Sequence, residues 1–407
     1  MQRILFFFAL VLQISIVFNS NACTTFLVSG KYTPDGRPLL YKHRDTGEPN
    51  NALMKFDDGR YKYIGLVNAT ADWSKEVWGG YNETGFAIIN SAAYNNNIDD
   101  KTKFADQEGV VMKLALQNCA TLKDFENLLD SLPKPLGVDA NFGVIDAQGG
   151  TAYYETGNFK YVKADANDPL QAPMGFMVRT NHSFSGDIDE GFGYIRYQTA
   201  WSVLYTAAAT RNWEPQYLLN HISRNLTHSL TGESLAAKLS ASAQNNDFRF
   251  FIDYIPRSSS ASTVLIVGAK NTDDVSGTMM WTIPGFQLTT LAVPVWLDEN
   301  SDLPEVVAIG KNGHAPVCDA ALQLKEKCFP VQRGSGGKYI NFSTVMNAQG
   351  NGYLQLVMPA EDIIFKKASL ITDSEVKTRS KNIREFNVWL DQYIVDFYSR
   401  NFGIKVL

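Results

Sequence analysis

The chain has 407 residues, of which 45% are hydrophobic, 12% aromatic and 19% charged, enough apolar material for a substantial core and a composition that excludes disorder and coiled coil. With 37 Lys and Arg against 42 Asp and Glu the formal net charge is -5, and no basic run stands out, so nucleic acid is not an expected partner. The four cysteines, at 23, 119, 318 and 328, are too few for a disulfide scaffold and lack metal-knuckle spacing; the histidines show no ligand spacing either, so neither metal nor cofactor is expected.

Residues 1–22 read Met-Gln-Arg, an apolar run from Ile4 to Phe18 broken by Gln13 and Ser15, then Asn19-Ser20-Asn21-Ala22. One positive charge, a short apolar segment and small residues before the cut predict a secretory signal cleaved after Ala22. No later run has the length a bilayer span demands, so a secreted or periplasmic protein with a single domain over 23–407 is expected. Cys23 would then carry a thiol and a free α-amine on one residue. An amine titrating near ~8 can act as base for its own thiol, which titrates near ~8.5. The other reading is a lipid anchor on that cysteine, although Ser20 stands where a lipobox usually has Leu. The cysteine taken by itself leaves both open.

Alternation over 24–30, the turn residues Thr33-Pro34-Asp35-Gly36 and a second strand over 38–43 predict a hairpin. A turn centred near Pro34 and Asp35 puts Asp45 opposite Cys23, within about a residue. There a carboxylate could hold the amine, with Lys42 and Arg44 close by to favour thiolate. The plain alternative is a surface hairpin with solvated charges.

Helical patterns occupy 110–129, 197–209 and 231–243, and core strands 264–267, 279–283 and 286–295 flank a turn at Pro284-Gly285. The stretch 298–352 is polar and Gly-rich and reads as a loop-rich insertion. After it, 353–357 reads as a strand, and 380–397 as a closing amphipathic helix with Ile383, Phe386, Trp389, Leu390 and Ile394 on one side. Cys119 is expected to be a buried thiol. Cys318 and Cys328, ten residues apart, are candidate disulfide partners. This element order suits an α+β fold of two stacked, mostly antiparallel sheets with helices outside.

Several motifs add up in order. Cys23-Thr24-Thr25-Phe26 with Asp45 ending the hairpin, Tyr81-Asn82-Glu83-Thr84-Gly85 leading into a strand that ends at Asn90, Asn141-Phe142-Gly143-Val144-Ile145-Asp146 followed by Tyr154-Glu155, Arg179-Thr180-Asn181-His182, and Tyr194-Ile195-Arg196-Tyr197 together resemble the choloylglycine hydrolase and acyl-CoA:6-aminopenicillanic acid acyltransferase group of N-terminal-nucleophile hydrolases. The resemblance spans about two thirds of the chain.

It implies a four-layer αββα sandwich and cleavage of a linear amide through a thioester. Cys23 would be nucleophile and proton carrier, Asp45 its partner, Asn90 and Asn181 donors to the oxyanion, and Arg196 an electrostatic brace. Many members of the group carry arginine three positions before the aspartate; here that place is Lys42, so a bidentate role does not carry over.

The implied partner is a small-molecule acyl amide: conjugated bile acids, phenoxyacyl penicillins, N-acyl amino acids, N-acylethanolamines and ceramides all suit the chemistry. Acyl transfer by the same cysteine is the alternative, as is an inactive, lipid-anchored binding protein of the same fold; a membrane is a partner only in that case, and homo-oligomerisation is left open. Specificity is expected from loops bearing Trp73, Trp78, Tyr94 and Phe184. Glycosylation-type sequons begin at Asn68, Asn82, Asn181, Asn225 and Asn341.

Overall fold

The computed structural model describes residues 22–407 apart from 71, 73 and 373. The expected signal segment, except Ala22, and Trp73 therefore lie outside the described residues.

Strands β1 (Cys23–Val28) and β2 (Leu39–Asp45) form the predicted hairpin, followed by β3 (Asn51–Phe56), β4 (Tyr63–Asn68), β5 (Gly80–Asn82), β6 (Ala87–Ala92), α1 (Glu108–Asn118), α2 (Leu122–Ser131), β7 (Ala140–Ile145), β8 (Thr151–Thr156), β9 (Tyr161–Asp165) and β10 (Phe176–Arg179). Next come α3 (Tyr194–Thr210), α4 (Pro215–Leu218), β11 (Phe248–Phe250), β12 (Ser260–Val267), β13 (Met279–Pro284) and β14 (Val293–Trp296), then α5 (Pro316–Cys328), β15 (Tyr339–Asn341), α6 (Phe342–Val345), α7 (Tyr353–Thr372) and α8 (Val376–Phe402).

One sheet runs β10-β1-β2-β12-β13-β14 and the other β3-β4-β5-β6-β7-β8-β9, antiparallel throughout. The sheets stack with β1 and β2 against β6 and β7. Helix α1 covers β5 and β6 from one side, and α3 covers β1 and β10 from the other. Helix, sheet, sheet, helix is the layer order the resemblance implied. Strand periodicity sorts the hairpin's side chains between these layers. Thr25 and Lys42 reach the second sheet, where Tyr153 Oη donates to Thr25 Oγ1 at 2.8 Å and Lys42 Nζ donates to Asn90 Oδ1 at 2.6 Å. Thr24 and Tyr41 point the other way, to Arg196 of α3 and to Ser223.

The register differs by one residue from the expected pairing: Cys23 faces Arg44, and the Asp45 N–H donates to the Ala22 carbonyl at 2.9 Å. The turn is pulled toward β1 by Thr33, whose hydroxyl bonds the carbonyls of Gly30 and Arg37.

Several elements depart from the sequence reading. The 110–129 pattern is two helices, because Thr121 caps α2 with its side chain on the Asp124 N–H while Asp124 returns the bond. No long helix forms over 231–243; Thr227 and Ser234 pair as a bridge instead, and Leu235 alone of the turn at 235–237 is buried. The predicted strand at 353–357 is the first turn of α7, which continues through Pro359. The stretch 298–352 carries α5, buried along Val317, Cys318, Ala321 and Leu324.

Cys318 and Cys328 are free and buried, as is Cys119. They sit near opposite ends of α5, and ten residues at ~1.5 Å each put them far beyond disulfide reach. Of the sequon asparagines, Asn82, Asn181 and Asn341 are buried with their amide nitrogens donating to protein acceptors, so the folded chain offers none of the three to a glycan.

Candidate active site

Cys23 starts an inner strand and is buried, yet it lines a cavity of about 270 Å³ together with Lys42, Arg44, Trp78, Asn90 and Tyr94. Its backbone nitrogen donates to Asn181 Oδ1 at 3.2 Å. Arg196, in the first turn of α3, binds the same residue from behind, with Nη1 on the Cys23 carbonyl at 2.7 Å and Nη2 on Asn181 Oδ1 at 2.6 Å. Nitrogen, carbonyl and side-chain direction of Cys23 are thus fixed by two buried groups. Gly193 makes this approach feasible: its φ is +87°, and a Cβ there would meet Arg196 Nη2 at 2.5 Å.

The sequence reading gave Asn90 and Asn181 one shared role, and the geometry separates them. Asn181 turns its oxygen to Cys23 and Arg196 and donates through Nδ2 to the Ala92 carbonyl at 2.8 Å. That arrangement orients the cysteine nitrogen. Asn90 has its oxygen committed to Lys42, and its amide nitrogen has no protein donor–acceptor partner among the described residues while the side chain lines the cavity. Asn90 is the neutral donor that faces the thiol's side of the strand.

Lys42 also donates to the Trp78 carbonyl at 2.8 Å, and the Trp78 ring lies under the Arg44 guanidinium at 4.6 Å. Burial pulls Lys42 down to about 7, with Arg44 adding to the fall and Cys23 opposing it. Burial likewise lowers Arg44 to about 10 and Arg196 to about 9. Lys42 and Arg44 therefore share the cysteine's side of the hairpin, as the sequence suggested.

Asp45 stands differently. Strand alternation turns its carboxylate to the helix-facing side, where Oδ2 accepts from Arg257 Nη2 at 2.5 Å and Nε at 2.8 Å, Oδ1 accepts from Ser260 Oγ at 2.6 Å, and His43 Nε2 lies 3.6 Å from Oδ1. Burial alone would raise its pKa, but the Arg257 charge and the His43 hydrogen bond hold the carboxylate far below its ordinary range. The expected direct grip of Asp45 on the cysteine nitrogen is replaced by Asn181. Asp45 organises the strand behind the site and contacts Ala22 through its backbone N–H. Arg257, His43 and Ser260 were not singled out by the sequence reading; the sole signal was an arginine placed just ahead of a core strand.

The layers run helix, sheet, sheet, helix, and a cysteine heads an inner strand with its nitrogen and carbonyl gripped by side chains, which is the αββα arrangement that the sequence resemblance implied. Searches of solved structures find similar chains: an N-acylethanolamine-hydrolyzing acid amidase (NAAA) ortholog from Caenorhabditis elegans, at 15% identity and a TM-score of 0.40, covering 67% of this chain and 100% of that one; penicillin V acylase from Agrobacterium tumefaciens, at 14% identity and 0.40, covering 68% and 87%; and a variant of conjugated bile acid hydrolase from Clostridium perfringens, at 11% identity and 0.37, covering 68% and 92%. No family model and no curated protein matches the chain.

Of the aromatic residues expected to shape specificity, Trp78 and Tyr94 line the cavity, whereas Phe184 lines a separate depression with Trp201 and Tyr197. Among the described residues no cluster of His, Cys, Asp and Glu is arranged to hold a metal ion.

Proposed function

We propose that this chain is an exported amidohydrolase of the choloylglycine hydrolase type, with Cys23 as its N-terminal nucleophile after cleavage behind Ala22. The observation that carries the reading is the grip of Asn181 and Arg196 on Cys23 nitrogen and carbonyl, beside a cavity into which Asn90 presents an amide nitrogen. Burial of Cys23 also speaks against a lipid anchor, because an acylated glycerol on that sulfur would have to fill the cavity.

In the mature chain the Cys23 nitrogen is an amine. Asn181 Oδ1 accepts one of its hydrogens, and the neighbouring Arg196 charge disfavours the ammonium, so the nitrogen lone pair is available to the thiol proton. The sulfur attacks the amide carbon and the oxygen becomes negative. Asn90 Nδ2 donates to that oxygen, and Lys42 and Arg44 supply positive field. The α-ammonium then gives its proton to the leaving nitrogen, the C–N bond breaks and a thioester remains. Water, deprotonated by the same amine, attacks the thioester and regenerates the thiol. An amine in place of that water would make the reaction acyl transfer.

Intact mass and N-terminal sequencing of exported protein should show an unmodified Cys23 in first position. Incubation with a panel of acyl amides should then produce an acyl adduct on Cys23 that hydroxylamine releases, and Cys23→Ala should form none while keeping its thermal transition. Turnover that survives in Cys23→Ala, or an acylated N-terminus, defeats the reading.

A further inference from the structure

We infer that the depression holding Phe184 is a second binding site, separate from the Cys23 cavity, for a small acid with an apolar body and one carboxylate. The two share no lining residue, so the inference stands whether or not the amidase reading does. The depression measures about 520 Å³, a volume ordinary for a small-molecule site. Strand β10 ends its sheet, pairing only with β1, and all four of its residues line the depression. Helix α3 adds Tyr197 and Trp201, and the loop between β10 and α3 adds Phe184.

The walls are aromatic, and their rings are held in place. Trp201 packs on Phe176 with centroids 6.2 Å apart. Phe184 is 57% exposed, yet Tyr197 at 5.6 Å, His182 at 5.5 Å and the Arg179 guanidinium at 4.4 Å all fix its ring. A ring that three neighbours hold and that remains more than half open presents a preformed apolar surface, with no rotamer left to order on binding.

Arg179 supplies the polar end. It is only 6% exposed; Nε donates to Glu155 Oε1 at 2.6 Å and Nη1 to the Val178 carbonyl at 2.8 Å. Its third nitrogen, Nη2, has no acceptor among the described residues, yet it is not one of the polar atoms sealed from solvent without a partner. Glu155 meets the guanidinium through Nε alone, because loop amides take up the rest of the carboxylate: Phe184 N–H on Oε1 at 3.0 Å and Ser185 N–H on Oε2 at 2.7 Å. A nearly buried guanidinium with one nitrogen uncommitted gains a charge-assisted hydrogen bond from an incoming carboxylate. A ligand amide would accept a weaker bond there, and an ammonium would be repelled. Apolar walls beside a single anion-seeking donor therefore select an aryl- or alkylcarboxylate.

The test uses the mature Cys23→Ala chain, calorimetry and three probes of one shape: 4-phenylbutyrate, 4-phenylbutyramide and 4-phenylbutylamine. The carboxylate should bind about tenfold or more tightly than the other two. Its affinity should fall about tenfold in Phe184→Ala, a substitution at a side chain exposed enough to leave the fold intact. Its advantage over the amide should vanish in Arg179→Gln/Glu155→Gln, which removes both charges together and strands neither. Because the Cys23 cavity also holds cationic residues, location is read separately. Irradiation of 4-(4-benzoylphenyl)butyrate, whose excited ketone favours methionine C–H bonds, should label Met174 or Met177, both in the depression's lining. Equal affinity for the three probes, a carboxylate preference that survives the double variant, or label placed on Trp78 or Tyr94 of the Cys23 cavity overturns the inference. Should the double variant fail to fold, Phe184→Ala and the site of labelling decide: unchanged affinity or label outside the depression defeats it.

Discussion

Two asparagines of one residue type end up in opposite roles because of what holds their oxygens. Asn181 receives Arg196 on its oxygen and is left to orient the Cys23 nitrogen; Asn90 receives Lys42 and is left to donate into the cavity. Asn90→Ala should lower kcat by about 100- to 1,000-fold, the ~3–4 kcal/mol lost with one oxyanion donor, with KM changing little. Asn181→Ala should instead shift the acid limb of the pH–rate profile for kcat/KM, because the amine loses the group that presents its lone pair. Identical effects of the two substitutions on kcat and on the profile would show that the assignment by oxygen partner is wrong. The Asp45 carboxylate supplies a prediction about stability. Its folded pKa lies below the unfolded value, so its stabilising contribution is present above the unfolded pKa, near ~3.9, and is lost as pH falls through the folded value. Arg257→Leu removes the largest opposing charge, so the acid unfolding midpoint of that variant, followed by circular dichroism, should move to higher pH. An unchanged midpoint would mean that Arg257 does not hold the carboxylate.

At the scale of elements, the hairpin was legible in the sequence and its consequences only half so. Alternation and the Thr33-Pro34-Asp35-Gly36 turn gave both strands to within a residue or two, and a shift of one residue in register was enough to send Asp45 to the far face of the sheet from Cys23. The partner that Asp45 found there, Arg257, is more than two hundred residues away along the chain, and no local pattern encodes such a contact. Helix α7 was hidden for a different reason. Its first residues suit a strand and Pro359 argues against a helix, yet burial of Leu354, Val357, Ile364 and Ala368 outweighs both signals. The loop before α3 is where an element controls the chemistry most directly. Gly193→Ala adds a methyl within 2.5 Å of Arg196 Nη2 on backbone of φ +87°, so a loss of about 1–2 kcal/mol in stability is expected from the backbone alone. Activity should fall further than that loss explains, because Arg196 must withdraw from Cys23 and Asn181. Urea melts and initial rates on the same preparation separate the two effects; full activity with reduced stability would show that the Arg196 contact is not needed for turnover.

For the molecule as a whole, the question is what ties the C-terminal helices to the sheets that carry the site. Their apolar faces share a core with the first sheet: Leu390, Ile394 and Tyr398 of α8 and Val357 and Ile364 of α7 belong to the same buried cluster as Leu265, Met280 and Val293. Burial alone does not fix how α7 sits, since an apolar face tolerates sliding, and the directional contact is an ion pair. Glu361 of α7 is fully buried and meets Arg224 with both oxygens, at 2.5 Å and 2.6 Å. Arg224 in turn donates to the carbonyls of Gln287 at 2.9 Å and Thr290 at 3.0 Å, on the connection between β13 and β14, while Glu361 accepts the Ala292 N–H. Every charged atom of the pair that can be satisfied is bonded, which is the condition under which a buried pair can persist at all. Removing one partner leaves the other as an uncompensated buried charge. Glu361→Ala should therefore destabilise the fold by about 3–5 kcal/mol in denaturant melts, whereas the double replacement Arg224→Met/Glu361→Leu should recover most of that loss because no charge is left behind. If the pair acts as a register pin for α7, the double variant will regain its free energy of unfolding but show faster amide exchange along 353–372 than the wild type. A single variant within ~1 kcal/mol of wild type would mean that α7 is held by its apolar face alone and that the pair is dispensable.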